Sequence, residues 1–337
     1  MASRRDAILH GAKEASRLHR DLGIRTKMEG HGGRIDVFRT IVDLDLPLLF
    51  RPLKGLLGAF LPGPYPGIMV TDQRPLAIQR FTGAHELGHA AMKHQGSLDD
   101  DSILHRSPFG TTDYDFNELA ADAFATAFLT PEWLLETHAA LQGWGRESMA
   151  DPRLVYQLSL RVGTSFEATC RALSRYGIID RATMARHSGL QPRKIKESLL
   201  DGYRPANWWP DIWVLTERDE GAEVEGGPHD IFVVKLRENS SAGYVWNFDE
   251  LKAAGFAIVR DDRTLTNADL DVGGAVERRV MASTDQEARG DFEFVHIRPW
   301  QPETPAGRLS FSYDLFGQLF GRETGMSRVE RRQIEAA

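Results

Sequence analysis

Two histidines and a glutamate stand together in the segment His85-Glu86-Leu87-Gly88-His89, an H-E-x-x-H pattern. Residues four apart share one face of a helix, so His85 and His89 can bind the same ion. Zinc lowers the pKa of a bound water towards neutrality, and a neighbouring carboxylate can then take its proton. The pattern therefore predicts one catalytic Zn²⁺, with Glu86 as general base. Because so short a pattern also arises by chance, other residues of the sequence must supply further evidence for a metal site.

A catalytic zinc usually has three protein ligands and one open position. Glu118, near the start of the next predicted helix, is the candidate third ligand. Asp122 lies one turn later on the same face and could hold a histidine ring nitrogen. The alternative is that Glu118 and Asp122 are solvated residues of an amphipathic helix.

Residues about 1–200 resemble the ImmA/IrrE metallopeptidases. The matching stretches are residues 67–70, 79–89, 118–125 and 129–131. The resemblance implies a zinc-dependent endopeptidase that cleaves a regulatory protein, typically a DNA-binding repressor. It also implies that His85, His89 and Glu118 bind the zinc, that Glu86 is the general base, and that Asp122 supports a ligand.

The elements that must position these residues are mostly helical. Apolar spacings of three and four predict helices over 4–20, 35–42, 76–93 and 116–129. Short extended segments separated by a Gly/Pro-rich loop predict strands over 48–50 and 67–71. His94 lies about 140° around the helix from His89, so we interpret it as a helix-end residue. His105 is placed in a polar loop.

Two apolar helical runs within 154–178 surround a turn at 162–165, where Ser165 could cap the second helix. The pair resembles a helix-turn-helix. Residues 146–197 hold ten basic and five acidic residues, about +5, whereas the chain carries −7. DNA binding is one interpretation. The alternative is a helical packing module with a solvated basic face.

Residues about 210–318 resemble the chagasin-like inhibitors of papain-type cysteine peptidases, which are immunoglobulin-like β-sandwiches. Three stretches match: residues 239–246, a Gly-Gly pair and an Arg-Pro-Trp loop. Ser240 and Ala242 replace the Pro and Thr that the family has in the first loop. By resemblance, the loops that bind a partner contain Asn239, Gly243, Tyr244, Trp246, Gly273, Gly274, Arg298, Pro299 and Trp300. Trp246 and Trp300 could equally be core residues.

Composition fits this organisation. The 337 residues suggest more than one domain, and the single cysteine, Cys170, excludes an internal disulfide framework. The most apolar window, 46–70, is interrupted by charges and prolines and cannot span a membrane as a helix. We expect a cytoplasmic protein with a metallopeptidase domain (1–145), a helical connector (146–205), a β-sandwich (210–318) and a charged tail (319–337).

The predicted fold class is α+β and multidomain: a mainly helical zincin-like metallopeptidase with a small sheet, a helix-turn-helix-like connector and an immunoglobulin-like β-sandwich. The predicted function is cleavage of a repressor or antitoxin-like protein, with the chagasin-like domain recognising substrate or regulating activity. One alternative is a module that binds or inhibits a cysteine peptidase and holds a structural zinc. The other is a DNA-binding regulator.

Overall fold

A computed structural model describes residues 3–28, 32–99, 115–265 and 276–316, with the backbone alone for 97–99. The chain forms two compact units. Among the described residues, those within 3–137 and 158–184 form the first unit, and those within 138–157 and 185–316 form the second. Gly273, Gly274, His105 and the tail 319–337 lie outside the described residues.

The helices predicted around the H-E-x-x-H motif are confirmed, with small shifts at their ends. The predicted helix 76–93 ends earlier, at Ala91, because Lys93 takes the left-handed conformation (φ 57°). The α-helices among the described residues up to 200 are α1 (Arg4–Asp21), α2 (Ile24–Lys27), α3 (Val37–Asp43), α4 (Leu76–Ala91), α5 (Phe116–Leu129), α6 (Glu132–Gln142), α7 (Pro152–Val162), α8 (Phe166–Arg175), α9 (Arg181–Ser188) and α10 (Pro192–Leu200).

Local chemistry defines the ends of α5. The Asp115 side chain accepts a hydrogen bond from the backbone N–H of Asn117 at 2.7 Å, which satisfies one of the helix's free donors. The helix ends at Leu129, immediately before Thr130 and Pro131, as predicted from the sequence. Glu118 therefore occupies the first turn of α5.

Helices α1 and α5 approach each other closely at a glycine. A Cβ atom built on Gly11 would lie 1.9 Å from the carbonyl oxygen of Ala120. Ala7 and Ala120 are fully buried in the same contact, together with Leu119. Small residues on both helices thus allow α1 to lie directly against the helix that carries Glu118.

A four-stranded sheet completes the first unit, in the order β1-β3-β2-β4. Strands β1 and β3 are parallel, and the other pairs are antiparallel. Phe60, Ile68 and Val70 are buried and form part of the core. The strands are β1 (Leu48–Arg51), β2 (Gly58–Leu61), β3 (Gly67–Thr71) and β4 (Ser97–Asp99).

The second unit contains two four-stranded sheets, ordered β5-β7-β10-β9 and β6-β12-β11-β8. Phe232 of the first sheet contacts Phe292 and Phe311 of the second, with ring centroids 6.5 and 6.2 Å apart, so the sheets face each other across an aromatic core. The predicted C-terminal sandwich is confirmed. Its elements are β5 (Ile212–Leu215), β6 (Glu223–Glu225), β7 (Ile231–Glu238), β8 (Val245–Asn247), α11 (Asp249–Ala253), β9 (Ala257–Leu265), β10 (Val276–Ser283), β11 (Arg289–Ile297) and β12 (Gly307–Asp314).

The predicted connector is divided between the two units. Helix α8 belongs to the first, and Ser165 caps it by accepting a hydrogen bond from the N–H of Ala168 at 3.2 Å, as predicted. The first half of α7 belongs to the second, where Gln157 donates to the carbonyl of Ile212 and accepts from the N–H of Val214. The connector is therefore integrated into both units. The predicted domain boundaries themselves remain a prediction.

A buried acid lies beside β5. Asp230 accepts hydrogen bonds from the backbone N–H of Asp211 at 2.7 Å and of Gly227 at 3.1 Å, and from the Trp213 indole at 3.3 Å. Burial, reinforced by the charge of Asp211, raises the pKa of Asp230 to about 7. The folded protein thus favours the protonated form of this side chain.

No helix in the part of the chain that the structure describes is long and apolar enough to cross a bilayer.

Candidate functional site

Helices α4 and α5 bring His85, His89 and Glu118 together. The Nε2 atoms of His85 and His89 lie 2.9 Å apart. The Glu118 carboxylate oxygens lie 3.4 Å from Nε2 of His85 and 3.5 Å from Nε2 of His89. Both histidines are almost completely buried, whereas the Glu118 side chain is partly exposed. The two elements thus converge on one point that remains accessible from outside.

The donor set suits a zinc ion. Zn–N and Zn–O bonds of about 2.0–2.1 Å in a tetrahedron place ligand atoms roughly 3.4 Å apart. The two distances from Glu118 agree with that spacing. The Nε2 atoms of His85 and His89, 2.9 Å apart, would have to move slightly further apart to match it. Two imidazoles and one carboxylate leave one position of a tetrahedron open. Among the described residues, this is the group of three whose ligand atoms could hold a metal ion.

Asp122 lies beside the ring of His85. Its Oδ1 atom is 2.9 Å from Nδ1 of His85, on the opposite side of the imidazole from the shared point. One turn of α5 separates Asp122 from Glu118, so a single helix face presents both carboxylates. A carboxylate at Nδ1 favours the tautomer whose Nε2 is free to bind a metal.

His94 has the corresponding position beside His89. The two Nδ1 atoms are 3.1 Å apart, and the rings meet nearly edge-on with their centroids 5.0 Å apart. Burial lowers the pKa of His94. The sequence interpretation of His94 as a helix-end residue describes its place but missed this contact. The chain reverses after α4 and returns His94 to the motif, which periodicity around a helix does not anticipate.

Glu86 is fully buried and lies against strand β2. A Cβ atom on Gly58 would be 2.8 Å from Oε1 of Glu86 and 2.4 Å from Cγ2 of Thr82. The absence of a side chain at Gly58 therefore provides the space that the Glu86 carboxylate occupies. Neither Gly58 nor strand β2, which begins at this residue, was predicted from the sequence.

A small cavity of about 110 Å³ touches Asp122. Its walls include the apolar side chains of Ile78, Phe81 and Leu119, and Arg171 lies at its edge. Arg171 is already paired with Glu167 at 2.6 Å. The cavity leaves one side of Asp122 open to small molecules.

The second unit brings two of the three predicted loops together. The backbone at Gly243 is left-handed (φ 79°), and a Cβ atom there would lie 2.3 Å from the Trp300 ring. Arg298 donates from Nε to the carbonyl of Ala242 at 3.1 Å, and its guanidinium lies 4.4 Å from the centre of the Tyr244 ring. Trp300 is 71% exposed. Asn239 and Pro299 are also exposed.

Trp246 belongs to the core. Its indole donates to the carbonyl of Arg237 at 2.7 Å and stacks on His296, with the centroids 4.8 Å apart. Of the two tryptophans, Trp246 is buried and Trp300 is exposed to solvent.

Comparisons with known proteins agree with both motif sets. Residues 43–174 match the family model of the IrrE N-terminal-like domain, and residues 228–315 match that of the chagasin family of peptidase inhibitors. The chain carries an IrrE-like region and a chagasin-family region. Both resemblances expected from the sequence are thereby confirmed, and the IrrE-like match supports a metallopeptidase. No curated protein matches the chain.

Solved structures are similar to about a third of the chain. The cysteine protease inhibitor EhICP2 from Entamoeba histolytica is 22% identical over 32% of this chain and 99% of its own, with a TM-score of 0.29. Amebosin is 19% identical over 32% of this chain and 98% of its own, with a TM-score of 0.27. Values this low bear on neither mechanism nor partner.

Proposed function

We propose that the protein is a zinc-dependent endopeptidase that cleaves a specific regulatory protein, a repressor or an antitoxin-like protein. The observation that carries the proposal is the convergence of His85, His89 and Glu118 beside a buried Glu86, within a region that matches the IrrE-like family. Asp122 and His94 serve as positioning residues for the two imidazoles.

The chain's own residues divide the work of hydrolysis. His85, His89 and Glu118 would hold the ion, and Asp122 would keep Nε2 of His85 directed at it. When bound, zinc would acidify a water molecule and polarise the substrate carbonyl. Glu86 would accept the proton from that water and pass it to the leaving amine. Because Glu86 is buried against Gly58, its carboxylate is fixed before substrate arrives.

Cleavage of a candidate repressor protein tests this function. We expect wild type to cut it, and Glu86→Gln to cut it roughly 10²- to 10⁴-fold more slowly because the general base is lost. Glu136→Gln, an exposed acid on α6, is the matched control and should behave as wild type. Equal cleavage by wild type and Glu86→Gln would exclude the mechanism.

Bound zinc gives an independent measurement. The metal content should fall sharply in Glu118→Gln and stay unchanged in Glu86→Gln, since Glu86 is not a ligand. Tight zinc binding by Glu118→Gln would remove the proposed third ligand. Zinc retained by all variants, with no cleavage by wild type, would favour the structural-zinc alternative.

A second candidate function concerns the chagasin-family region, which would bind a papain-type cysteine peptidase. The packing of Trp300 on Gly243 favours it, since an exposed aromatic side chain held by a neighbouring loop can enter a cleft at small entropic cost. We expect the full-length chain to inhibit papain, and Trp300→Ala to weaken inhibition by about 30-fold or more, as at an interface hot spot. Trp209→Ala, 92% exposed in the same unit, is the control. Absence of inhibition by wild type would leave substrate recognition or regulation as the role of this region.

DNA binding by the helices around 146–197 remains a prediction from charge. Several of the basic side chains there are already paired, Arg153 with Asp151 and Arg193 with Glu197. Salt-dependent binding to DNA fragments would be the supporting result.

A further inference from the structure

A cleft of about 550 Å³ lies in the first unit, between helices α1, α2 and α6 and the end of α8. Its volume falls within the roughly 300–1,000 Å³ typical of small-molecule sites. The proposed metal ligands do not line it. The cleft is thus a second concave feature, independent of the metal site.

The charge of the cleft is strongly positive. Arg20, Arg25 and Arg175 line it, against a single acid, Glu132. His19 adds no charge at neutral pH, because burial lowers its pKa to about 4. Guanidinium groups bind phosphate and carboxylate oxygens through paired hydrogen bonds. The walls therefore favour an anion.

Arg175 supplies a more specific observation. Its Nη1 atom is buried and has no hydrogen-bond partner among the described residues. Burial lowers the pKa of Arg175, with Tyr176 as its neighbour. A buried donor without a partner destabilises the folded chain, and a ligand oxygen that accepted its hydrogen bond would remove that cost. Arg175, which lines the cleft, thus carries a guanidinium donor that makes no hydrogen bond with the described residues.

Aromatic rings line the same cleft. Trp133 and Tyr176 contribute to the wall, and the guanidinium of Arg25 lies 6.0 Å from the centre of the Trp133 ring. The ring of His19 meets Trp133 edge-on, with the centroids 6.1 Å apart, and Nε2 of His19 is hydrogen-bonded to the carbonyl of Phe128. The contact with His19 orients the indole of Trp133. Flat aromatic and guanidinium surfaces stack on planar rings.

We propose that this cleft binds a planar aromatic ring that carries a phosphate group, namely a nucleoside monophosphate. The phosphate would bind the arginines, with the Arg175 side chain turning so that its Nη1 donor reaches the ligand, and the base would stack on Trp133. An inorganic anion would fill only part of the volume and would leave the aromatic wall uncovered.

Isothermal titration of the full-length chain with adenosine and guanosine monophosphates tests the proposal. Adenosine, ribose 5-phosphate and inorganic phosphate are titrated separately, so that ring and phosphate are each removed in turn. We expect at least one mononucleotide to bind with a Kd below about 1 mM, and each component to bind at least tenfold more weakly. Equal affinity for inorganic phosphate would overturn the assignment of the ring, and no saturable binding of either mononucleotide would overturn the site.

Variants locate the binding. Arg20→Gln, an exposed side chain on α1, should raise the Kd roughly 10- to 100-fold, the cost of one charge-assisted hydrogen bond, and Arg175→Gln at least as much. Arg17→Gln, on the same helix and paired with Glu14 outside the cleft, is the matched control. Identical affinities for Arg20→Gln, Arg175→Gln and Arg17→Gln would place the ligand elsewhere. Glu86→Gln should bind nucleotide as wild type does, so this test does not depend on the proposed peptidase activity.

Discussion

Gly58 is the residue whose replacement tests the proposed site most directly. Its position in β2 leaves space for the carboxylate of Glu86, and alanine would add a methyl group only 2.8 Å from Oε1 and 2.4 Å from Cγ2 of Thr82. Ordinary contact begins near 3.4 Å. To reach that distance, the Glu86 carboxylate must recede by about 0.6 Å and the Thr82 methyl group by about 1 Å.

The magnitude follows from how steeply catalysis depends on position. A displacement of about 1 Å in a reacting group costs roughly 10²-fold in rate. For Gly58→Ala we expect kcat to fall about 10- to 100-fold, equivalent to about 1.4–2.7 kcal/mol in the activation free energy. Overpacking at the same position should lower the free energy of unfolding by about 1–3 kcal/mol. Zinc binding should be unchanged, because no metal ligand is displaced.

The assay measures kcat and KM for cleavage, bound zinc per chain and the unfolding midpoint of the same preparations. Gly67→Ala is the matched control, since it lies in the adjacent strand β3 and its Cβ would be 3.4 Å from the nearest atom, the carbonyl oxygen of Pro47. It should retain wild-type kcat.

A folded Gly58→Ala protein with a kcat within twofold of wild type would show that catalysis does not require Glu86 to be held against β2. Loss of zinc in that variant would refute the reasoning in another way, because the effect would then pass through the ligands.

Three further perturbations have defined expectations. Gly11→Ala should destabilise the chain by at least about 1–3 kcal/mol, because its methyl group meets the backbone of α5. Gly33→Ala should be near neutral in chemical denaturation, because its Cβ would make only an ordinary contact with Met28 at 3.8 Å. The raised pKa of Asp230 means that charging it opposes folding, so its contribution to stability is greatest below pH 4 and is lost as the pH rises to about 7. Unfolding measured across that range should show this loss in wild type and not in Asp230→Asn. His94→Ala should weaken zinc binding about 10- to 100-fold by equilibrium dialysis, with exposed His229→Asn as control.

Each expectation has an outcome that would contradict it. Unchanged stability of Gly11→Ala would mean that α1 does not approach α5 as closely as the structure shows. Parallel pH profiles for wild type and Asp230→Asn would remove Asp230 as the titrating group. Wild-type zinc affinity in His94→Ala would show that the contact of His94 with His89 does not affect zinc binding.

The sequence by itself indicated His85 and His89 as a ligand pair because their proximity is local, whereas the approach of Glu118 to them depends on the packing of α5 against α4. A spacing of four on a helix places His85 and His89 on one face whatever the rest of the chain does, and the same spacing relates Glu118 to Asp122. The cap of α8 was likewise readable, since Ser165 acts on a backbone group only three residues away. The sandwich was predicted differently, from the resemblance of three loop motifs to the chagasin family.

Tertiary structure decided what depends on the approach of distant segments. The contact of Gly58 with Glu86 requires β2 to pack on α4, and the cleft at Arg175 requires four helices to meet. The division of the connector arises because Gln157 satisfies backbone groups of a strand more than fifty residues away. Such contacts depend on packing between elements, which the periodicity of a single segment does not encode.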